Sequence, residues 1–116
     1  MKLKFFTIDE FNCQETGENR MEPEFLVKLD ALREACNFPF IITSGFRHPT
    51  KHPIEASKKV PGTHSQGIAC DIRAVVGSER YEIVKCAMNL GFTGIGIAKT
   101  FVHVDTRGTA PVMWLY

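Results

Sequence analysis

The chain has 116 residues, 44% hydrophobic and 23% charged, ordinary proportions for a soluble protein and enough for one compact domain spanning residues 1–116. Fourteen Lys and Arg against thirteen Asp and Glu give a net charge of +1, which argues against a broad electrostatic surface for nucleic acid. No apolar run approaches the roughly 20 residues that span a bilayer, so membrane insertion is not expected. The opening segment MKLKFFTIDEF holds two lysines but no long apolar stretch and no small-residue cleavage site. The expectation is a chain made in the cytoplasm and kept there unless something else releases it. The cysteines, at 13, 36, 70 and 86, form no CxxC pair, and all four are expected to be reduced.

Residues 2–6 read as a short strand, and 7–11 as a brief helical turn. Residues 14–20 are polar and read as a loop. From Pro23, which suits a first helical turn, Phe25, Leu26, Leu29, Leu32 and Cys36 recur at helical spacing as far as Asn37. A β-branched strand follows at 40–43. Residues 46–63 then form a long loop with three prolines and one glycine, a length at which loops are usually functional. A second strand is expected over 68–74. Ser78 is read as the N-cap of a helix to Leu90, with Gly91 as its stop. Two more strands, 93–98 and 101–106, and a short tail with Trp114 and Tyr116 complete the pattern. Strands and helices do not alternate as in a parallel βαβ protein. The expected class is α+β, a small antiparallel sheet with helices packed on one face.

The four histidines stand at 48, 52, 64 and 103. In the last expected strand Val102 and Val104 alternate with His103 and Asp105, so the valines face the core and the imidazole and carboxylate share the other face. In the strand at 68–74, Ile68, Cys70 and Ile72 form the apolar side and Ala69, Asp71 and Arg73 the other. His64 lies just before that strand. Gly94 and Gly96 are expected to leave the outer face of their strand bare, as room for an extended substrate. Two imidazoles and one carboxylate suit zinc with a fourth position for water. Spacing alone leaves open that His64 and His103 are unrelated residues and that Asp71 ends a turn. His48 and His52 flank prolines and are read as exposed residues, not ligands.

Ser44-Gly-Phe-Arg47, then His64-xx-Gly67-x-Ala69-x-Asp71, then His103-x-Asp105 occur in this order within residues 40–107. Together they resemble the zinc D-alanyl-D-alanine carboxypeptidases and LD/DD-endopeptidases of peptidoglycan, which share their fold with the hedgehog signalling domain and include several phage endolysins. The resemblance implies a bound Zn2+ with His64, Asp71 and His103 as ligands. It also implies that Arg47 holds substrate or stabilises an oxyanion through its guanidinium fork; the other reading of Arg47 is a solvated loop residue or a structural partner of Glu55. Ser44 is expected to assist, by bonding substrate or by holding the loop. The implied substrate is a peptidoglycan stem peptide or D-Ala-D-Ala peptide. With neither export signal nor wall-binding segment recognised, the expectation is a monomeric phage or prophage lytic enzyme, or a virion-borne peptidase, acting at the bacterial wall. A cytosolic enzyme acting on D-Ala-D-Ala dipeptide is also compatible.

One position departs from the family. Many relatives carry a general-base carboxylate three residues before the last zinc histidine, where this chain has Thr100. Asp105, nearest in sequence and on the same strand face, is a candidate base and equally a candidate for orienting a zinc histidine. Thr100 also keeps open a non-catalytic alternative: a zinc-containing binding or virion structural module of the same fold. The loop at 46–63 is expected to be a lid, with Lys58 and Lys59 free to meet acidic groups. The aromatic tail around Trp114 is expected to pack in the core or a lid rather than line a groove. A thiol enzyme using Cys70 is disfavoured, because that side chain faces the core.

Overall fold

The first long helix, α1 (Pro23–Cys36), starts at the proline that needs no backbone partner there and buries Phe25, Leu26, Leu29, Leu32 and Cys36. Asn37, in the left-handed region at φ 58°, ends it by donating its N–H to Arg33 O. The structure, a computed structural model, describes residues 2–116. Before α1, Ile8–Phe11 forms a 3-10 turn whose Glu10 carboxylate accepts the Thr7 N–H at 2.7 Å. Residues 2–6 form no strand. The N–H groups of Lys4 and Phe5 donate instead to the Asp30 carboxylate on α1 at 2.9 and 3.0 Å, which satisfies them without a ladder.

Strand β1 (Ile42–Ser44) leads into the long loop, which holds a one-turn helix α2 (Pro53–Ala56) that composition did not indicate. Strand β2 (Ala69–Arg73) precedes α3 (Gly77–Asn89). The N-cap of α3 is Val76, in extended conformation and with no side-chain bond, so Ser78 lies inside the first turn rather than capping it. Strands β3 (Gly94–Ile97) and β4 (Phe101–Asp105) form a hairpin, and the tail adds a strand, β5 (Val112–Leu115).

The sheet order is β1-β2-β4-β3-β5. All pairs are antiparallel except β3–β5, which is parallel, so the sheet is mixed rather than wholly antiparallel. The tail reaches that edge because Val112 N donates to Thr93 O at 2.8 Å and Tyr116 N to Ile97 O at 3.1 Å. Cys70, Ile72, Ile95, Val102 and Val104 share one core with the apolar faces of α1 and α3. The register sets Asp71 opposite His103 and Ala69 opposite Asp105 across β2–β4. Across β3–β4 it sets Gly96 opposite His103 and Gly94 opposite Asp105. Among the described residues no helix is long and apolar enough to cross a membrane.

Candidate metal centre

His64, Asp71 and His103 are all buried, and one ligand-competent atom from each lies within 4.8 Å of the others. Three segments bring them together: the turn after the loop, β2 and β4. Gly67 makes that turn. Its φ of +76° is in the region that favours glycine, and a side chain there would run into the Arg20 carbonyl.

The hydrogen bonds fix what each donor atom offers. His64 Nδ1 lies 2.8 Å from Gly45 O, and a carbonyl only accepts, so Nδ1 carries the proton and Nε2 is a bare acceptor. That Nε2 is buried without a hydrogen-bond partner, although Asp71 Oδ1 is 3.3 Å away. His103 Nε2 donates to Asp105 Oδ2 at 2.8 Å, while its Nδ1 lies 3.1 Å from the same Asp71 Oδ1. Lone pairs thus converge on a single point, an arrangement a shared cation resolves. Two imidazoles and a carboxylate are the donor set that suits zinc. Burial alone would raise the Asp71 carboxyl, but contacts with His103 and His64 hold it well below the usual carboxylate range. Burial works to lower the His103 imidazole, yet hydrogen bonds to Asp105 and Asp71 raise it above its ordinary value.

Asp105 stands behind this trio. It is fully buried, and besides His103 it accepts from Arg107: Nη2 at 2.7 Å, Nε at 3.0 Å and the backbone N–H at 3.1 Å. Burial would push its carboxyl up; His103 and Arg107 keep it well below the usual range. The space for it comes from its small cross-strand neighbours, Ala69 and Gly94. The bare face expected at Gly94 and Gly96 is therefore filled. Asp105 occupies the room beside Gly94, and Trp114 and Tyr116 pack where a side chain at Gly96 would be.

Arg47 reaches in from the other side. Its Nη2 is 3.2 Å from Asp71 Oδ2, its Nε donates to Ser44 Oγ at 3.0 Å, and Nη1 lies 3.6 Å from Glu55. Ser44 holds the guanidinium, and the pairing with Glu55 exists alongside the position at the site. Glu55, on α2 and 1% exposed, was weighed in the sequence as a partner for Arg47 and set aside as a base, and it ties several parts of the loop together. It also accepts from Lys58 Nζ at 2.8 Å, Ser65 Oγ at 2.9 Å and Gly62 N at 3.0 Å. Lys58 is thus committed to Glu55 rather than free, while Lys59 is exposed. His48 and His52 stand outside the donor trio, but both are buried, not exposed. Their Nδ1 atoms accept backbone N–H groups, from Thr50 and Lys51 for His48 and from Ile54 for His52, and so shape the turn and cap α2.

A cavity of about 550 Å³ opens on the trio. Arg47, Lys58 and Gln66 line it from the loop side, and Arg107, Trp114 and Tyr116 from the other. The aromatic tail therefore lines the groove instead of packing in the core. The Trp114 ring lies 5.2 Å from that of His103, and the Arg107 guanidinium sits 4.9 Å over the indole. Arg107 went unread in the sequence; its position two residues beyond Asp105 was the available signal.

A family model described as peptidase M15 matches residues 4–105, with all three donors inside the match. The chain belongs to the peptidase M15 family. Membership makes it a metallopeptidase, with peptides as its substrates and a hydrolytic reaction class. Among curated proteins none matches the chain. The M15 match spans the three donors, and the side-chain geometry brings His64, Asp71 and His103 together within it.

Proposed function

We propose that this protein is a zinc peptidase that hydrolyses an amide bond in peptidoglycan stem peptides, and that it acts at the bacterial wall as a phage or prophage product. The observation that carries the reading is the unpartnered His64 Nε2, buried against Asp71 and His103 at the floor of a cavity that Arg47 also lines. Zinc held by these donors would supply Lewis acidity, polarising a carbonyl and acidifying water. The remaining chemistry falls to the chain. Gly45 O fixes the His64 tautomer, and Asp105 orients His103, so both imidazoles present a lone pair without reorganisation. Arg47, held by Ser44 and Glu55, presents a rigid cation for charge developing on a carbonyl oxygen. Asp105 has both oxygens committed and lies behind His103, which supports its positioning role over that of a base.

The second reading, a zinc-containing binding module, is favoured by one feature. Among the described residues Asp71 is the only carboxylate lining the cavity, and Thr100 lies at a different surface depression. Mass spectrometry of sacculi and stem peptides incubated with zinc-loaded protein, beside a chelator-treated control, separates the two. A chelator-sensitive fragment is expected, and its mass identifies the bond. Intact walls from several bacterial types, with protein confirmed to hold zinc, would select the binding module.

A further inference from the structure

The two long helices meet at a pair of thiols. Cys36 is the last residue of α1, and Cys86 lies in the last turn of α3, which packs against it. All four cysteines of the chain are free, but these two stand apart from the others. Cys70 points into the core beneath the sheet, and Cys13 accepts the His48 N–H at 3.4 Å.

The Cys36 sulfhydryl donates to Glu82 O at 3.7 Å. Glu82 stands four residues before Cys86, so an α-helix assigns that same carbonyl to the Cys86 N–H. Side chains on a helix lean toward its N-terminus, and the Cys86 thiol therefore leans over the turn where Cys36 Sγ rests. Their contact shows in the proton they hold: burial, and then the charge and hydrogen bond of Cys86, push the Cys36 thiol up to about 12. Both residues are nearly covered, at 7% and 8% exposure, but Cys70 has none, and the side chains of Glu82 and Lys85 beside the pair reach solvent. Nothing in the metal centre uses these thiols. Cys70, Ile72, Val102 and Val104 face them across the core, while Asp71 and His103 lie on the other side of the sheet. The two cysteines are about fifty residues apart in the chain, so a bond between them would remove substantial freedom from the unfolded state.

We propose that Cys36 and Cys86 form a dithiol site that reacts with low-molecular-weight disulfides, and that the resulting Cys36–Cys86 bond ties α1 to α3 behind the sheet in an oxidising compartment. One protein thiolate attacks a sulfur of the small disulfide, forming a mixed disulfide and releasing one small thiol. The second protein thiolate attacks the protein sulfur of that mixed disulfide, closing the Cys36–Cys86 bond and releasing the second small thiol. The two cysteines are oxidised, the small disulfide is reduced, and the two protein protons end on the released thiols. This inference stands whether or not the protein is a peptidase.

The test incubates zinc-loaded protein with excess oxidised glutathione in two arms, as the native protein and during refolding from urea. The refolding arm removes the barrier that burial sets to the reagent. Both samples are then blocked with N-ethylmaleimide in denaturant and digested with trypsin. The expected product, in either arm, joins peptides 34–47 and 86–99 and leaves Cys13 and Cys70 blocked as thiols. After removal of glutathione and restoration of zinc, the oxidised protein is expected to melt about 5–15 °C above the same sample reduced. Cys36→Ala and Cys86→Ala are each expected to abolish both the cross-link and the rise. Glutathione adducts without the cross-link, a bond through Cys13 or Cys70, or four free thiols in both arms overturns the dithiol site. A cross-link that leaves the midpoint unchanged or lowers it overturns the tie between the helices.

Discussion

Replacing Asp105 by Asn changes one buried atom pair and tests how the metal centre is held. The carboxylate accepts from His103 Nε2 at 2.8 Å and from three groups of Arg107. A hydrogen bond to a charged partner contributes about 1.5–3 kcal/mol, a neutral one about 0.5–1.5. Asn keeps an oxygen that can accept from His103 but loses the charge that makes the imidazole a better donor to metal, a difference of roughly 1.5 kcal/mol. That corresponds to about tenfold weaker zinc binding, at the lower edge of what loss of such an orienting partner costs. If the Asn amide turns its NH2 toward His103, the imidazole must change tautomer and the loss grows toward a hundredfold. The fold should survive. Arg107 is 30% exposed at its side chain, so water screens its lost partner and the stability cost stays near 1 kcal/mol or below. Zinc affinity is measured by competition with a chromophoric chelator, and the fold by circular dichroism and the melting midpoint. An Asp105→Asn protein that melts like the wild type and binds zinc within a factor of two of it would refute the positioning argument. If turnover is seen, a variant that keeps its zinc under saturating metal yet loses nearly all turnover would return Asp105 to the role of base.

Two further perturbations probe the walls of the cavity. Burial would raise the Glu55 carboxyl, but Lys58, the Gly62 N–H and Ser65 bring it down to about 2 from an ordinary 4.5. A folded value below the unfolded one stabilises fully above pH 4.5, and the contribution fades as pH falls toward 2. Urea unfolding of wild type and Glu55→Gln should differ by up to about 3 kcal/mol at neutral pH, with the gap closing between pH 4.5 and 2; a gap independent of pH would exclude this account. For Gly96→Ala, the added carbon would sit 2.6 Å from the Trp114 indole nitrogen and 2.7 Å from the Tyr116 ring. Overpacking of this kind costs about 1–3 kcal/mol and should shift Trp114 away from His103, read as a red-shifted emission; an unchanged spectrum and midpoint would show that the tail does not pack there.

Periodicity made the strand faces that carry Asp71 and His103 legible, whereas His64, Asp71 and His103 were joined as metal donors only by the family resemblance. Val102 and Val104 against His103 and Asp105, and Cys70 and Ile72 against Asp71, announce two-faced strands from alternation alone, and the structure buries the apolar members in the shared core. The helix α1 was legible for the same reason. The fifth strand was not. Val112, Met113, Trp114 and Leu115 are all apolar and alternate nothing, and their parallel pairing with β3 depends on a long-range contact that no local pattern encodes. Glu55 escaped because its importance lies in what surrounds it: Lys58 and the Gly62 N–H from the loop, and Ser65 from the turn that follows it. Residues 2–6 were read as a short strand, and a single carboxylate, Asp30, took up the backbone donors of Lys4 and Phe5 that a partner strand would have needed. The histidines at 48 and 52 were misplaced on the surface because a proline neighbour marks a turn without saying whether that turn is covered.

The same register that buries the core also builds the site. Pairing β2 with β4 sets Asp71 opposite His103, and it simultaneously turns Cys70, Ile72, Val102 and Val104 inward. Because side chains alternate with a period of two, a slip by one residue would put both valines in the cavity and both His103 and Asp105 in the apolar core. Burying each valine is worth about 1.5–3 kcal/mol, and an unpaired buried carboxylate costs several more, so the slipped arrangement is strongly disfavoured whether or not a metal is present. The donor trio is thus held together by hydrophobic burial on the opposite face of the sheet, against the mutual repulsion of its own lone pairs. The small residues at 69, 94 and 96 complete that logic. They flank β4 on the site face; Ala69 carries only a methyl, and the missing side chains of Gly94 and Gly96 leave the volume that Asp105, Trp114 and Tyr116 fill. A larger side chain at any of the three would leave the ligands in place in the sequence and disturb the groups that orient them in space.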